Sequence, residues 1–341
     1  RGAVGTTGLA SGVAVAGGRA YVAARGVGLG VVDLRNRLNP EIGGADVLSS
    51  QGYDISVSGG HAFVAVGGRG MDVVNIADPN GFQVVGNLPA FDYAYGLAAA
   101  GDLAAIADLT AGVQIVDISS PTNPLLMATL DTPGSARQVA MSGDHVFVAD
   151  AGAGLQVVDI TAPATPITVA NVPTSAPAVD VVVQGMDAYV VDTDYNLLVI
   201  DIENPAAADV VGSVFIAGER TWSGAIGLAA AGDHVYVADE TSGLSIVDVL
   251  DRTNPQVTGF LSLPFGAKDV AVAGSYAYVA HSYLGVQVVD IATPESPINV
   301  GGVVLVRDAM SGAYTVAVEA GKLYAADYSN GLRSLPFQCS G

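Results

Sequence analysis

The sequence predicts an all-β fold of repeated four-stranded units, and three observations carry that expectation. The first is a ruler of strand-end residues. Asp33, Asp117, Asp159, Asp201, Asp248 and Asp290 close similar apolar runs, with Asn75 standing in once, at successive spacings of 42, 42, 42, 42, 47 and 42 residues. The second is a ruler of glycines on the same spacing, Gly17, Gly59, Gly101, Gly143, Gly185, Gly232 and Gly274. The third is that no stretch keeps a helical period, whereas short Val/Ile/Leu/Ala runs recur between turn residues. Four short antiparallel strands in about 42 residues make the pattern of a β-propeller blade rather than of a helical solenoid. Leu332 to Pro336 is a degenerate eighth copy, so we expect an eight-bladed β-propeller.

Each unit reads in order as follows. The first strand is small and apolar, as in Val139 to Met141, with Ala or Ser at its centre where units would converge on an axis. It ends in a tight turn at a ruler glycine, because glycine accepts positive φ. The second strand is of the type Val146 to Asp150. A hairpin of the form Asp-x-x-x-Gly follows, in which Asp can bond its own backbone. The third strand, such as Leu155 to Asp159, ends on the ruler carboxylate. Two prolines, such as Pro163 and Pro166, then break the ladder and impose a turn. The fourth strand is expected to be shorter and more variable. The units fall near 9–47, 51–89, 93–131, 135–173, 177–216, 224–263, 266–305 and 312–337, in one domain over 1–341. The last lacks a clear fourth strand. Residues 2–6 have the character to supply it, which would close the ring and remove its exposed edges.

Composition bounds the partners. The chain has 341 residues, enough to bury a full core. Its net charge is −20, with Lys268 and Lys322 the only lysines. Such a surface repels polyanions, so nucleic acid and anionic membrane are poor partners, and no membrane insertion is expected. No run reaches the roughly 18 apolar residues that span a bilayer. Cys339 is the one cysteine, either a free thiol or paired outside this sequence. The chain opens on Arg1 rather than Met, which fits a processed, exported product: extracellular, periplasmic or cell-surface.

The third strands, Val113 to Asp117, Leu197 to Asp201 and Leu244 to Asp248 among them, resemble the LVIVD repeat. That resemblance implies a propeller in proteins that are often exported or surface-attached. It transfers no catalytic motif. Asn75 and Pro336 depart from its Asp position.

Few residues ask for a chemical reading. The ruler carboxylates each stand in their own unit before a proline turn, so we expect them to bond turn amides. His61, His145 and His234 hold one turn position in alternate units, and His281 stands elsewhere, so a shared metal site or a Ser-His-Asp triad is not expected. Asp192, Asp194 and Asn196 alternate as in the first half of a calcium loop, against the reading of an ordinary polar hairpin.

The ruler breaks step at two insertions, 217–223 and 306–311. They bring Arg220, Trp222, Arg307, Asp308 and Met310, residue types favoured at binding hot spots. Both insertions join a fourth strand to the next first strand, on the face that the Asp-x-x-x-Gly hairpins also reach. A ring of positions beside that face holds Tyr53, Asp54, Tyr95, Arg137, Asp180, Lys268, Asp269 and Tyr314. It would hold a sugar, peptide or small anion, or its members would pair and plug the channel. The leading expectation is a non-enzymatic binding or scaffold propeller with a protein partner on one loop face and no cofactor beyond the calcium candidate. A carbohydrate-binding propeller is the alternative. A quinone-dependent enzyme is less favoured, because the chain has one Trp and two Lys.

Overall fold

In a computed structural model the described residues are 9–16, 19–25, 28–33, 41–46, 53–75, 83–89, 92–216, 226–239, 241–263, 267–281, 285–303, 313–319, 322–327 and 331–335. Among them, eight antiparallel sheets follow one another in chain order. Sheet 1 holds β1 (Leu9–Ala16), β2 (Arg19–Arg25), β3 (Gly28–Asp33) and β4 (Glu41–Asp46). Sheet 2 holds β5 (Asp54–Ser58), β6 (His61–Ala65), β7 (Met71–Asn75) and β8 (Gln83–Leu88). Sheet 3 holds β9 (Gly96–Ala100), β10 (Leu103–Ala107), β11 (Val113–Asp117) and β12 (Leu125–Leu130). Sheet 4 holds β13 (Gln138–Ser142), β14 (His145–Ala149), β15 (Leu155–Asp159) and β16 (Ile167–Val172). Sheet 5 holds β17 (Ala178–Gln184), β18 (Asp187–Asp192), β19 (Asn196–Asp201) and β20 (Asp209–Phe215). Sheet 6 holds β21 (Ile226–Ala231), β22 (His234–Asp239), β23 (Gly243–Asp248) and β24 (Gln256–Ser262). Sheet 7 holds β25 (Ala267–Ala273), β26 (Tyr276–His281), β27 (Gly285–Asp290) and β28 (Ile298–Val303). Sheet 8 holds β29 (Ala313–Glu319), β30 (Lys322–Asp327) and β31 (Gly331–Leu335).

The arrangement is propeller-like. First strands lie beside first strands in sequence order, β1 by β5 and so on to β25 by β29, and β29 also approaches β1. In sheets 2 to 6 the second and third strands are buried nearly throughout. They are hydrogen-bonded on both edges and covered on both faces, so they can be continuously apolar. The core is accordingly divided. One cluster joins Phe147, Leu155 and Val157 of sheet 4 to Val190 and Ile200 of sheet 5. Equivalent clusters join sheets 2 and 3, 3 and 4, 5 and 6, and 6 and 7. Each fully buried Phe or Leu contributes about 1.5–3 kcal/mol by leaving water.

The fourth strands correct one expectation. They are not short: β12 and β16 have 6 residues and β20 and β24 have 7, against 5 in β11 and β15. The reason is a bulge at the same register in every third–fourth pair, seen between Ile115 and Val116 and between Val157 and Val158. One extra residue on the outer strand twists it and lengthens it. Just past the bulge stands a small residue, Gly86, Ala128, Ala170, Gly212 or Gly259, opposite the third strand. The proline turn of the next sheet packs there. A Cβ on Gly86 would lie 2.2 Å from the Pro121 carbonyl oxygen, and one on Gly259 1.9 Å from that of Pro294.

The turn glycines behave as their spacing predicts. Gly59, Gly101, Gly143, Gly185, Gly232 and Gly274 take φ between 55° and 64°. At the same end of the sheets, the ruler carboxylates cap their turns. The backbone N–H two residues on donates to Asp117, Asp159, Asp201, Asp248 and Asp290 at 2.7–2.9 Å.

Candidate functional site

The opposite end of the sheets carries the second–third hairpins and the connections between successive sheets. The hairpin tips pair with those connections. Gly67 bridges to Ala94, Leu109 to Ala136 and Ala151 to Ala178. Leu109 and Ala151 accept φ of 42° and 44° to make these bridges, a strain of order 1 kcal/mol each. Buried carboxylates complete the join. Asp150 accepts from the Thr132 hydroxyl at 2.8 Å and the Gly134 amide at 2.9 Å. Burial pushes the Asp150 carboxyl up, with those two donors working against the shift. Asp108 accepts from the Asp92 amide, and Asp92 in turn accepts from Thr110. Hairpins and connections therefore share one face among the described residues, as expected.

The face differs in detail from the expected plan. In sheets 5 and 6 the hairpin Asp does bond its own loop: Asp192 takes the amides of Asp194 and Asn196, and Asp239 takes that of Thr241. In sheets 3 and 4 it reaches the preceding connection, which Asp192 also does through the Ser175 hydroxyl. The calcium candidate belongs to the first kind. Asp192 also accepts from the Asn196 side-chain amide at 3.0 and 3.1 Å and from the Ser175 hydroxyl at 2.8 Å. Asn196 thus turns its NH₂ toward the carboxylate, where a cation would need oxygens. The donor set does not fit calcium. Among the described residues, no group of three or more His, Cys, Asp or Glu side chains is placed to hold a metal.

The channel-mouth residues separate into two groups. Asp54 and Asp180 are clips between sheets. Asp54 accepts the Leu97 amide of sheet 3 at 2.7 Å, and Asp180 accepts the Leu228 amide of sheet 6 at 3.1 Å. Tyr53 and Tyr95 are brought together, with ring centroids 5.8 Å apart. Between sheets 2 and 3 they are joined by Tyr93, which meets Tyr53 edge-on at 5.0 Å and donates its hydroxyl to that of Tyr53. Tyr95 is 45% exposed. Arg137 is exposed at the position on sheet 4 that Tyr95 holds on sheet 3. Lys268 and Asp269 lie on β25 and Tyr314 on β29. Their side chains, and Arg220, Trp222, Arg307, Asp308 and Met310 entirely, lie outside the described residues.

Tyr93 had escaped the sequence reading, since it belongs to neither ruler. A signal existed nearby. Where sheets 3 to 6 carry Asp108, Asp150, Asp192 and Asp239, sheet 2 carries Val66 followed by Gly67 and Gly68.

On the turn side, a cavity of about 150 Å³ lies between sheets 2 and 3, lined by His61, Phe63, Asp102 and Pro121 among others. An open cleft of about 550 Å³ adjoins Arg252. Arg252 is paired with Asp187 at 2.8 Å and Asp201 at 3.1 Å, both on sheet 5, and so ties sheet 6 to its neighbour.

The family comparison decides what this arrangement is. The LVIVD repeat model matches residues 7–44, 51–88, 92–132, 133–174, 177–215, 224–260 and 266–304. The chain belongs to the LVIVD repeat family. The seven matched LVIVD repeats coincide with sheets 1 to 7. No curated protein matches the chain. Among solved structures, it is similar to the computationally designed Ika8 protein, with a TM-score of 0.78 at 10% identity over 97% of both chains. It is also similar to Sqt1 of Saccharomyces cerevisiae, with a TM-score of 0.79 at 10% identity over 98% of both chains. At that identity the likeness concerns fold alone.

Proposed function

We propose that this LVIVD-repeat chain is one eight-bladed propeller that acts outside the cytoplasm as a non-enzymatic binding or scaffold module. Its ring closes where β29 approaches β1, with residues 2–6 added as the fourth strand beside β31. Its partner is a protein, held on the loop face. The observation that carries the reading is the construction of that face. In sheets 2 to 4 backbone bridges join each hairpin to the connection that follows it, and in sheets 3 and 4 Asp108 and Asp150 join the hairpin to the connection that precedes it, giving a stiff platform on the face to which the sequence assigns the insertions. Pre-ordered surfaces lose little entropy on binding. The non-enzymatic reading is supported by the dispersal of His61, His145 and His234 over sheets 2, 4 and 6. The extracytoplasmic reading rests on the family resemblance and the acidic, nearly lysine-free composition.

The test is substitution of Trp222 and Met310 to Ala, followed by affinity measurement against the partner that copurifies with the native chain. A loss of about tenfold or more with an unchanged unfolding midpoint supports the reading. Unchanged affinity rejects the insertions as the docking site.

A further inference from the structure

The loop face departs from the repeat at sheet 2, where it gathers three tyrosines. At sheet 2 the buried Asp of the hairpin is replaced by Val66, and Gly67 follows at φ 62°. A Cβ at Gly67 would lie 2.8 Å from Tyr93 Cζ and 2.9 Å from Tyr53 Cε2. The two rings therefore rest on the hairpin backbone, a packing that any side chain at 67 would block. Tyr95 stands beside Tyr53 and completes a short aromatic platform.

Two exposed arginines stand beside it in the backbone. Arg69 follows Gly68, whose added Cβ would lie 3.8 Å from the Asp92 carbonyl oxygen and 3.9 Å from Tyr93 Cδ2. Arg137 lies on the other side, its carbonyl oxygen 2.6 Å from where a Cβ on Gly96 would stand. Both arginines are exposed. The chain has 33 acidic residues against 13 basic ones. Even so, neither arginine has a carboxylate partner among the described residues, whereas Arg252 has two. Beyond Arg137 the arc ends, because Val179 packs into the cluster between sheets 5 and 6.

We propose that Tyr53, Tyr93, Tyr95, Arg69 and Arg137 form a binding site for a short acidic saccharide built of uronic acids. This rests on the loop face being the binding face. The C–H face of a pyranose ring covers an exposed tyrosine, and its carboxylate takes a guanidinium fork in two parallel hydrogen bonds. A neutral sugar would leave both arginines unused. A long polyanion or a strongly acidic protein segment would meet the full repulsion of a chain of net charge −20, which a trimer with three charges largely avoids.

The experiment is calorimetric titration of the full chain with a galacturonic acid trimer, with the uncharged galactose trimer as control. The uronate trimer should bind about tenfold tighter than the neutral one. Joint substitution Arg69→Gln and Arg137→Gln should erase that preference, and Tyr95→Ala should weaken both sugars about tenfold. Because both arginines are exposed, the Arg double variant should keep its unfolding midpoint. No uronate binding at millimolar concentration, equal affinity for the two trimers, or wild-type affinity in the Arg double variant would each overturn the site. Equal or tighter binding of a tetraglutamate peptide would overturn it in favour of an acidic protein segment. The Trp222→Ala and Met310→Ala variant should keep uronate binding intact, so failure of the protein-docking reading leaves this one separately decidable.

Discussion

Gly212 gives the sharpest test of how adjacent sheets are held. It lies on β20, just past the bulge, outside the positive-φ region. In an ordinary strand, Gly→Ala would stabilise by about 0.5–1 kcal/mol through lost unfolded-state freedom. Here an added Cβ would lie 2.2 Å from the Arg252 carbonyl oxygen and 2.8 Å from Pro255 Cδ. The nearest obstacle is backbone, so the turn of sheet 6 must move outward. Ala128 and Ala170, at the same register, show that a methyl can be housed there. In sheet 6 the movement would also stretch the ion pairs from Arg252 to Asp187 and Asp201.

Gly212→Ala should therefore destabilise, by about 1–3 kcal/mol as for an overpacked core site. Arg252→Met should cost about 1–3 kcal/mol alone, because Asp187 is left largely buried without its partner. With Arg252 gone the turn is free to yield, so the Gly212→Ala penalty should shrink by at least about 0.5 kcal/mol. Urea unfolding of the four members of this cycle measures all three quantities. A stabilised Gly212→Ala protein, or additivity of the two substitutions within about 0.3 kcal/mol, would refute the argument.

Three further outcomes are expected. Turn donors hold Asp117, Asp159, Asp201 and Asp251 below the ordinary value of 3.8, the Ser119 hydroxyl leading for Asp117 and the Thr161 amide for Asp159. A lowered folded pKa stabilises the fold above the unfolded value and loses that contribution as pH falls through the folded one. The unfolding midpoint should thus drop below pH 3.8, and less steeply in an Asp117→Asn, Asp159→Asn variant. Asp150 and Asp187, raised by burial, have the opposite sign: their contribution declines as pH rises from 3.8 through the folded pKa. Asp150→Asn should accordingly flatten the midpoint profile just above pH 3.8. EDTA should leave the midpoint unmoved, since the Asp192 oxygens already have protein donors; a midpoint raised by calcium would restore the calcium loop. Deleting residues 1–8 should lower the midpoint if they close the ring, and an unchanged midpoint would remove that closure.

Much of the frame was legible because each unit repeats its own local chemistry. Asp159 caps a turn formed by residues two positions on, so spacing alone announces its role. Gly143 reports a turn conformation that needs no distant partner. What failed to show in the sequence depends on neighbours one repeat away. Asp54 and Asp180 looked like ligands at a channel mouth, yet each takes a backbone amide 43 or 48 residues downstream, and an amide leaves no mark in sequence. The fourth strands were read as short because their patterning breaks at the bulge, where one residue steps out of register. Tyr93 was missed for a related reason. Its ring matters only because Gly67, on the preceding sheet, leaves room for it.

The two kinds of irregularity in this chain have different physical weight. An insertion lengthens a connection and changes what projects from the face, but the sheets beneath it can remain as they are. A substitution within the repeat must be compensated where it stands. At sheet 2 the hairpin carboxylate is absent, and the bridge from Gly67 to Ala94 still joins the hairpin to the connection that follows it. Tyr53 and Tyr93 lie over Gly67, which cannot be replaced without displacing them. Gly67→Ala would be expected to displace the rings at a strain of order 1 kcal/mol, because position 67 holds φ 62°. Saccharide affinity should then fall about tenfold, whereas an unchanged affinity would mark an aromatic cluster that merely fills space.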